Sequence, residues 1–218
     1  MHLLVLTPRG PVMDVEADSI ILPLESGFLG VKKGHQPLAG IVVPGGLFHR
    51  SSGEKGIHFV SGGVVEVSEE RVLILTDAAE EKGEIDLGRA EKALERATLR
   101  LKRREAGRLR LESALNRAWR QLREEGVDRK RLLLDMDRAL ERVPWEGDEG
   151  EEAARALKGL RSTLLDKETT VDDLRAAIGP AMDAVQLAGV NVARATLSQK
   201  RAQARLQVAR GEVLASLL

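Results

Sequence analysis

The chain has 218 residues, of which 43% are hydrophobic but only 2% aromatic, so a packed core has to be built from aliphatic side chains. Its 34 basic and 34 acidic residues balance, which removes any global electrostatic argument for nucleic-acid binding. There is no cysteine, which excludes disulfides, thiolate nucleophiles and cysteine-ligated metals.

The sequence carries no membrane-spanning or secretory signal. No apolar stretch approaches the ~20 residues needed to cross a bilayer, and the N-terminus lacks the charged and apolar regions of a signal peptide. We therefore expect a soluble intracellular protein, with a peripheral membrane role left open. Residues 1–84 carry a net charge of −5, residues 85–126 one of +5, and residues 127–218 none. This asymmetry favours three separate segments.

Residues 1–77 have the pattern of an all-β domain. Six short runs rich in branched aliphatic residues recur at even spacing: Leu3–Leu6, Ser19–Leu22, Gly40–Val43, Ile57–Val60, Val64–Val67 and Val72–Leu75. Turn sequences such as Pro44-Gly45-Gly46 and Ser61-Gly62-Gly63 separate them. Many short strands at this spacing predict a sandwich or a barrel. Apolar and polar residues alternate only in part, so we expect some strands to be buried on both faces.

After residue 85 the apolar residues recur at spacings of three and four, which indicates helices. The first stripe follows Asp86, a residue type that caps helix N-termini, and the second stops at Gly126. The two stripes consist of Leu87, Ala90, Leu94, Ala97 and Leu101, and of Leu111, Leu115, Ala118 and Leu122. Because the pattern breaks around Gly107, it predicts an antiparallel hairpin of two short helices over residues 85–126.

Residues 127–218 read as a further all-α segment. One amphipathic helix ends at the polar sequence Pro144–Gly150, which is predicted to be a flexible linker. The apolar stripe of the next helix consists of Ala153, Leu157, Leu160 and Leu164. Thr170 and Asp173 resemble a capping box, and the helix that they open is expected to meet a break at Gly179-Pro180. From there to the end of the chain one long helix is expected.

The motifs of common catalytic sites are absent from the sequence. There is no GxxxxGK[ST] loop to hold a phosphate, no GxGxxG after a strand, and no Gly-x-Ser-x-Gly elbow. The four histidines lack metal-ligand spacing, so a polar loop or strand-surface role is favoured for each: His2, His35, His49 and His58. The residues alone predict a β domain with attached helices and no visible catalytic apparatus.

A series of short motifs in a fixed order gives more specific information on function. They are Thr7-Pro8-Arg9-Gly10, Glu16-Ala17-Asp18, Gly27-Phe28-Leu29-Gly30-Val31, Gly34-His35-Gln36-Pro37-Leu38, Ser61-Gly62-Gly63-Val64-Val65-Glu66-Val67 and Ile85-Asp86-Leu87-Gly88-Arg89-Ala90. In this order and at these intervals, residues 1–125 resemble the epsilon subunit of bacterial F-type ATP synthases. The resemblance implies a β-sandwich domain over residues 1–84 and a helical hairpin over residues 85–126. Residues 127–218 lie outside the family pattern.

The resemblance also implies a function and partners. A member of this family is a non-catalytic subunit on the central stalk of a rotary enzyme. There it contacts the gamma subunit, the membrane rotor ring of c subunits and the alpha/beta catalytic head. It couples proton or sodium flow to ATP synthesis and regulates ATP hydrolysis. Its expected place is peripheral, on the cytoplasmic face of the bacterial inner membrane.

Two groups of site residues follow from the resemblance. The loop from Phe28 to Leu38 is assigned to the rotor-ring contact through Phe28, Gly30, Gly34, His35 and Pro37, although the glycines would also serve plain turns. Some relatives carry an acid where Phe28 stands. A motif that binds regulatory ATP in some members is present at the hairpin, and the nucleotide-binding candidates are Glu80, Asp86, Arg89, Arg96 and Arg117. The alternative is that Asp86 only caps a helix whose surface the arginines solvate. No other cofactor and no metal is expected.

Two alternatives remain open at this stage. A stand-alone nucleotide-sensing protein would have the same sandwich and hairpin. The segment over residues 127–218 has apolar stripes that need a surface to cover, so it is either a second control element or a small helical bundle that only adds stability.

Overall fold

The structure, a computed structural model, describes residues 1–123, 128–142, 148–166 and 168–212. The chain divides into two compact units. The first, here called the sandwich unit, consists of Met1–Arg96 together with the residues from Ser198 onward. The second, the helical unit, consists of Ala97–Leu197. These units do not follow the boundaries expected at residues 84 and 126. Whether residues 1–84 fold alone stays a prediction.

The sandwich unit is built on eight strands. They are β1 (His2–Thr7), β2 (Gly10–Glu16), β3 (Ser19–Leu24), β4 (Gly27–Lys32), β5 (Leu38–Ser51), β6 (Glu54–Val67), β7 (Arg71–Thr76) and β8 (Ala79–Glu81). Their order is β2-β1-β7-β6-β5-β3-β4, with β8 paired to β6. Strands β1 and β7 run parallel, and all the other pairs are antiparallel. All six predicted aliphatic runs lie in these strands.

The two glycine-rich sequences predicted as turns lie inside long strands. Pro44-Gly45-Gly46 belongs to β5, and Ser61-Gly62-Gly63 belongs to β6. At Gly63 φ is +144°, and an added Cβ would lie 2.0 Å from the Leu75 carbonyl oxygen, so only glycine fits this close approach to β7. At this point β6 changes its pairing from β8 to β7. The glycines therefore allow one strand to serve both parts of the sandwich.

The core of the sandwich is aliphatic, as the composition predicts. Its fully buried members include Leu3, Val5, Ile20, Leu22, Leu47, Val60, Val72 and Ile74. Burial of each such side chain contributes about 1.5–3 kcal/mol relative to its exposed state. Leu3 and Val5 on β1 pair with Val72 and Ile74 on β7, and these two pair with buried valines on β6, so the shared buried face fixes the register of β1, β6 and β7.

The described residues also form a short 3-10 helix at Lys82–Glu84 and four α-helices: α1 (Leu87–Arg123), α2 (Arg129–Arg142), α3 (Asp148–Leu165) and α4 (Val171–Arg210). Asp86 caps α1, because its Oδ1 accepts the Arg89 backbone N–H at 2.9 Å. Thr170 and Asp173 form the predicted capping box at α4, with each side chain accepting the backbone N–H of the other. The fold class expected from the sequence, a β-sandwich followed by an all-α region, is confirmed.

The hairpin expected over residues 85–126 is not present, because α1 runs unbroken from Leu87 to Arg123. Gly107 is a buried position inside this helix. A helical glycine costs about 1 kcal/mol relative to alanine, but most helical stability in proteins comes from packing of an apolar face. The stripe continues past the glycine with Leu111 and Leu115 buried, which explains why the glycine does not end the helix.

The break expected at Gly179-Pro180 is also wrong. Both residues lie inside α4, a single helix of 40 residues, or about 60 Å at 1.5 Å per residue. Proline removes one helical hydrogen bond, but the neighbouring Ile178 and Ala181 are buried in the core and hold the helix together. Of the predicted linker Pro144–Gly150, residues 144–147 lie outside the described residues, and Asp148–Gly150 begin α3.

The helical unit has a core of its own. All four helices contribute to it, with Leu111, Leu115 and Ala118 from α1, Leu132 and Met136 from α2, Leu157, Leu160 and Leu164 from α3, and Leu174, Ile178 and Ala181 from α4. Arg161 on α3 also donates from Nε to Asp137 Oδ1 on α2 at 2.5 Å. The apolar stripe predicted on α3 therefore finds its surface within the chain. Among the described residues, no helix is long and apolar enough to cross a membrane.

Candidate functional site

An apolar row lies open on the outer face of the sheet. Ile41 on β5 pairs with Val64 on β6, and Val64 pairs with Leu75 on β7. Their side chains are 58%, 50% and 45% exposed. Together with Ala39 and Leu73 they line a shallow depression across the three strands. Single exposed aliphatic residues are ordinary, but a contiguous patch marks an interaction surface.

The sequence could not distinguish this row from the core. The expectation of strands buried on both faces holds for the first half of β6, where both Phe59 and Val60 are buried. At the row defined by Ile41, Val64 and Leu75 the strands are instead exposed on one face. Branched aliphatic residues occupy both faces of these strands, so the alternation that would reveal an open face is missing.

The rotor-ring candidates do not form one loop. Phe28 and Gly30 lie on β4, which pairs with β3 and is the last strand in the sheet order. Only residues 33–37 between β4 and β5 form a loop, and Gly34 has the left-handed φ of +82° there. His35 donates from Nδ1 to the Gln36 carbonyl oxygen at 2.8 Å, while Pro37 is exposed. The five candidates thus extend along an edge strand and the loop that follows it.

The nucleotide candidates are brought together only in part. Glu80 on β8 is bound by Arg205 of α4, whose Nε and Nη2 donate to its Oε2 at 3.1 and 2.5 Å. Asp86 caps α1, and Arg89 and Arg96 lie exposed two turns apart on the same helix. Convergence with Arg117 required the chain to turn back near Gly107, and α1 has no turn there. Arg117 is an exposed position of the helical unit. Nucleotide binding stays a prediction.

The sequence missed the contact between Glu80 and Arg205. The two residues are 125 positions apart, and no motif or spacing links them. Both are largely buried, with side-chain exposures of 33% for Glu80 and 22% for Arg205. Arg205, near the end of α4, is therefore a partner of strand β8 in the first half of the sequence.

Two histidines form a pair beside the sandwich core. The rings of His49 and His58 have centroids 5.5 Å apart, and the Nδ1 atom of each is buried without a hydrogen-bond partner. Burial is the main cause that lowers the pKa of both. The neighbouring His49 lowers the pKa of His58 further, and the Glu81 carboxylate opposes the shift in both. Both residues lie on strands, His49 on β5 and His58 on β6, and both are half-buried. The described residues hold no cluster of three or more potential metal ligands.

Comparison with known proteins places this fold in a defined class. Residues 1–82 match the family model described as the ATP synthase delta/epsilon chain, beta-sandwich domain. The epsilon chain of the ATP synthase of Myxococcus xanthus is 39% identical over 98 residues, which are 45% of this chain and 72% of that relative. The epsilon chain from Symbiobacterium thermophilum is 40% identical over 107 residues, or 49% of this chain and 77% of the relative. The chain belongs to the epsilon-chain family of ATP synthases.

A solved structure is also similar. A chain of the Euglena gracilis mitochondrial ATP synthase matches with a TM-score of 0.42 and 28% identity, over 45% of this chain and 64% of that one. The two bacterial relatives are both epsilon chains of ATP synthases, which gives no support to a stand-alone nucleotide sensor. They cover less than half of this chain, so about half of it lies outside the matched stretch.

Proposed function

We propose that the chain is the central-stalk epsilon subunit of a rotary F-type ATP synthase. In this role it couples ion flow to ATP synthesis, regulates ATP hydrolysis and has no active site of its own. The observation that carries the proposal is the match to 72% of the Myxococcus xanthus epsilon chain at 39% identity. The expected partners are the gamma subunit, the c subunits of the rotor ring and the alpha/beta catalytic head. The expected place is peripheral, on the cytoplasmic face of the bacterial inner membrane.

The open apolar row is the surface that we assign to gamma. The row of three exposed aliphatic side chains crosses β5, β6 and β7, strands whose other face contributes to the core. Such a surface gains free energy when a partner covers it, because apolar area leaves water. The edge strand β4 and residues 33–37 are the part assigned to the rotor ring, and regulatory ATP is the one cofactor proposed.

A charge placed in the row tests the assignment to gamma. Val64→Lys puts an ammonium group at the centre of the row, where a partner surface would have to bury it unpaired. We expect the affinity for gamma to fall on the order of a hundredfold, which corresponds to about 2.7 kcal/mol. Co-expression with gamma and size-exclusion chromatography measures the change, and calorimetry gives its size.

Val12→Lys is the matched control for this experiment. Val12 is 43% exposed on β2, which is separated from β7 by β1, so the same substitution leaves the row intact. Both variants should keep the circular dichroism of the wild type, since both positions face solvent. Undiminished binding of gamma by Val64→Lys would remove the row as the interface.

A further inference from the structure

The last part of α4 belongs to the sandwich unit. Residues 198–212, here called the strap, are grouped with Met1–Arg96 although the helical unit separates them in sequence. The strap ends where Gly211 adopts the left-handed φ of +75° and its N–H donates to the Val208 carbonyl oxygen at 3.0 Å. This is a regular glycine stop for a helix. The Lys82 ammonium lies beside Gly211, where a cation is favoured by the helix dipole.

The strap buries an apolar surface that the core does not use. Its buried side chains Ala204, Leu206 and Val208 form one cluster with Phe59 on β6, with Ile85 just before α1, and with Ala90 in the first turn of α1. The approach to β5 is close, because a Cβ added at Gly46 would lie 3.4 Å from Val208 Cγ2. Without the strap, Phe59 and Ile85 would face water. The strap therefore completes the sandwich unit in the way a core element does.

Three ion pairs fix the register of the strap. Arg201 donates to Asp77 at 2.8 Å, Arg205 to Glu80, and Arg210 to Glu91 at 2.7 Å. Each pair joins residues that are 119 to 125 positions apart. The three carboxylates come from the end of β7, from β8 and from α1, so sliding or turning of the strap would break all three pairs at once.

We propose that the strap stays docked on the sandwich unit while the enzyme works, and that residues 97–197 are consequently a helical module inserted between two fixed ends. The expectation from sequence was a single C-terminal extension over residues 127–218. The structure assigns its last part to the sandwich unit instead. If the helical unit controls the enzyme, it then acts as a segment held at both ends and not as a free C-terminal arm.

Hydrogen exchange on the purified full chain tests the docking itself. Amides of residues 200–210 should be as protected as those of β6 near Phe59, because the strap and that strand would open together. The reversals Arg205→Glu and Glu80→Arg, made singly, should each speed exchange in the strap by about tenfold or more, since each leaves two like charges facing. The double reversal should restore most of the protection. Strap amides that exchange far faster than those of β6 in the wild type would overturn the proposal.

A disulfide tests whether the strap stays docked in the working enzyme, and this experiment rests on the proposed function. The chain has no cysteine, so Gly46→Cys with Val208→Cys gives one pair, and the two single-cysteine variants are matched controls. Locked and reduced forms of the assembled ATP synthase should hydrolyse ATP at the same rate. A severalfold difference that the single variants do not show would overturn the proposal.

The new Cβ at position 46 would lie 3.1 Å from the Phe48 ring. If this crowding prevents the disulfide from forming, the exchange experiment on the double reversal still decides the docking. A protected strap in a chain that fails to assemble would count against the proposed function alone.

Discussion

At the scale of single residues, side chains of one type, histidine, lie in very different surroundings. His35 lies in an exposed loop and contacts the carbonyl of Gln36, whereas His49 and His58 lie side by side on β5 and β6, half-buried, with buried and unpartnered Nδ1 atoms. Folding disfavours the protonated forms of these two histidines, because partial burial penalises the charge and double protonation would put two cations side by side. The consequence is a dependence of stability on pH.

We expect the free energy of unfolding to fall as the pH decreases below the ordinary histidine pKa of about 6.5. The pKa of His49 and of His58 is lowered in the folded chain, so the unfolded chain takes up protons first and is favoured by acid. Above that pH the two histidines are neutral in both the folded and the unfolded chain, and their contribution to stability is constant.

Urea unfolding between pH 5 and 8 measures this dependence of stability on pH. His58→Gln should flatten the dependence, and His35→Gln should leave it as in the wild type. An unchanged pH dependence in His58→Gln would exclude the pair as its source.

Asp86 has two candidate roles that a pair of variants can separate. As a helix cap, its loss in Asp86→Ala should cost about 0.5–2 kcal/mol of stability, while Asp86→Ser should keep most of it, because serine is also a good cap. As part of a nucleotide site, its carboxylate should matter in both variants. We therefore expect titration calorimetry with ATP to show weaker binding in Asp86→Ser at nearly unchanged unfolding temperature. If the wild type gives no heat with millimolar ATP, only the capping role remains.

At the scale of elements, the sequence predicted what depends on local chemistry. The strands β1, β3, β5, β6 and β7 carry continuous aliphatic runs, and the caps at Asp86 and Thr170 have recognisable side chains. Strands β2 and β4 were missed because polar residues or glycines interrupt their apolar residues, as Asp14 and Gly30 do. The helix breaks predicted at glycine and proline were wrong, because burial on either side outweighed the local cost. No local signal could predict the strap, whose partners are more than a hundred residues away.

The continuity of α4 makes an unusual prediction for its proline. Pro180 is an exposed residue in the interior of the helix, where proline costs about 3 kcal/mol relative to alanine. Pro180→Ala should therefore stabilise the chain, by up to about this amount, with an increase in the urea midpoint. Gly159→Ala in α3 is the control, because replacing a helical glycine by alanine stabilises a helix for a known reason. The new Cβ meets nothing within 4 Å, so the free energy of unfolding should rise by about 0.5–1 kcal/mol. A neutral or destabilising Pro180→Ala would mean that α4 breaks there after all.

At the scale of the whole molecule, one chain contains two cores of different construction. The sandwich core is built by strands from the first third of the sequence, and the helical core by residues between Leu111 and Ala181. The family match ends at residue 82, within the sandwich unit. Beyond that match the chain forms a second compact unit, and the strap then belongs to the first unit again. The two cores can be perturbed separately, which is the way to ask what the helical unit does.

Leu157→Ala tests whether the helical unit controls the enzyme. Leu157 is fully buried in the helical core, so its truncation should cost about 2–5 kcal/mol there. Exchange protection should fall in residues 97–197 and remain in the sandwich strands. The matched variant Leu22→Ala removes the same group from the sandwich core, where Leu22 is fully buried, and should have the reverse effect.

In the assembled ATP synthase we expect the Leu157→Ala subunit to stay bound to gamma and the inhibition of ATP hydrolysis to change. The reason is that a control element that opens locally loses the arrangement that its partners recognise. Unchanged hydrolysis, synthesis and subunit retention, with the helical core measurably loosened, would leave the helical unit a stabilising bundle and nothing more.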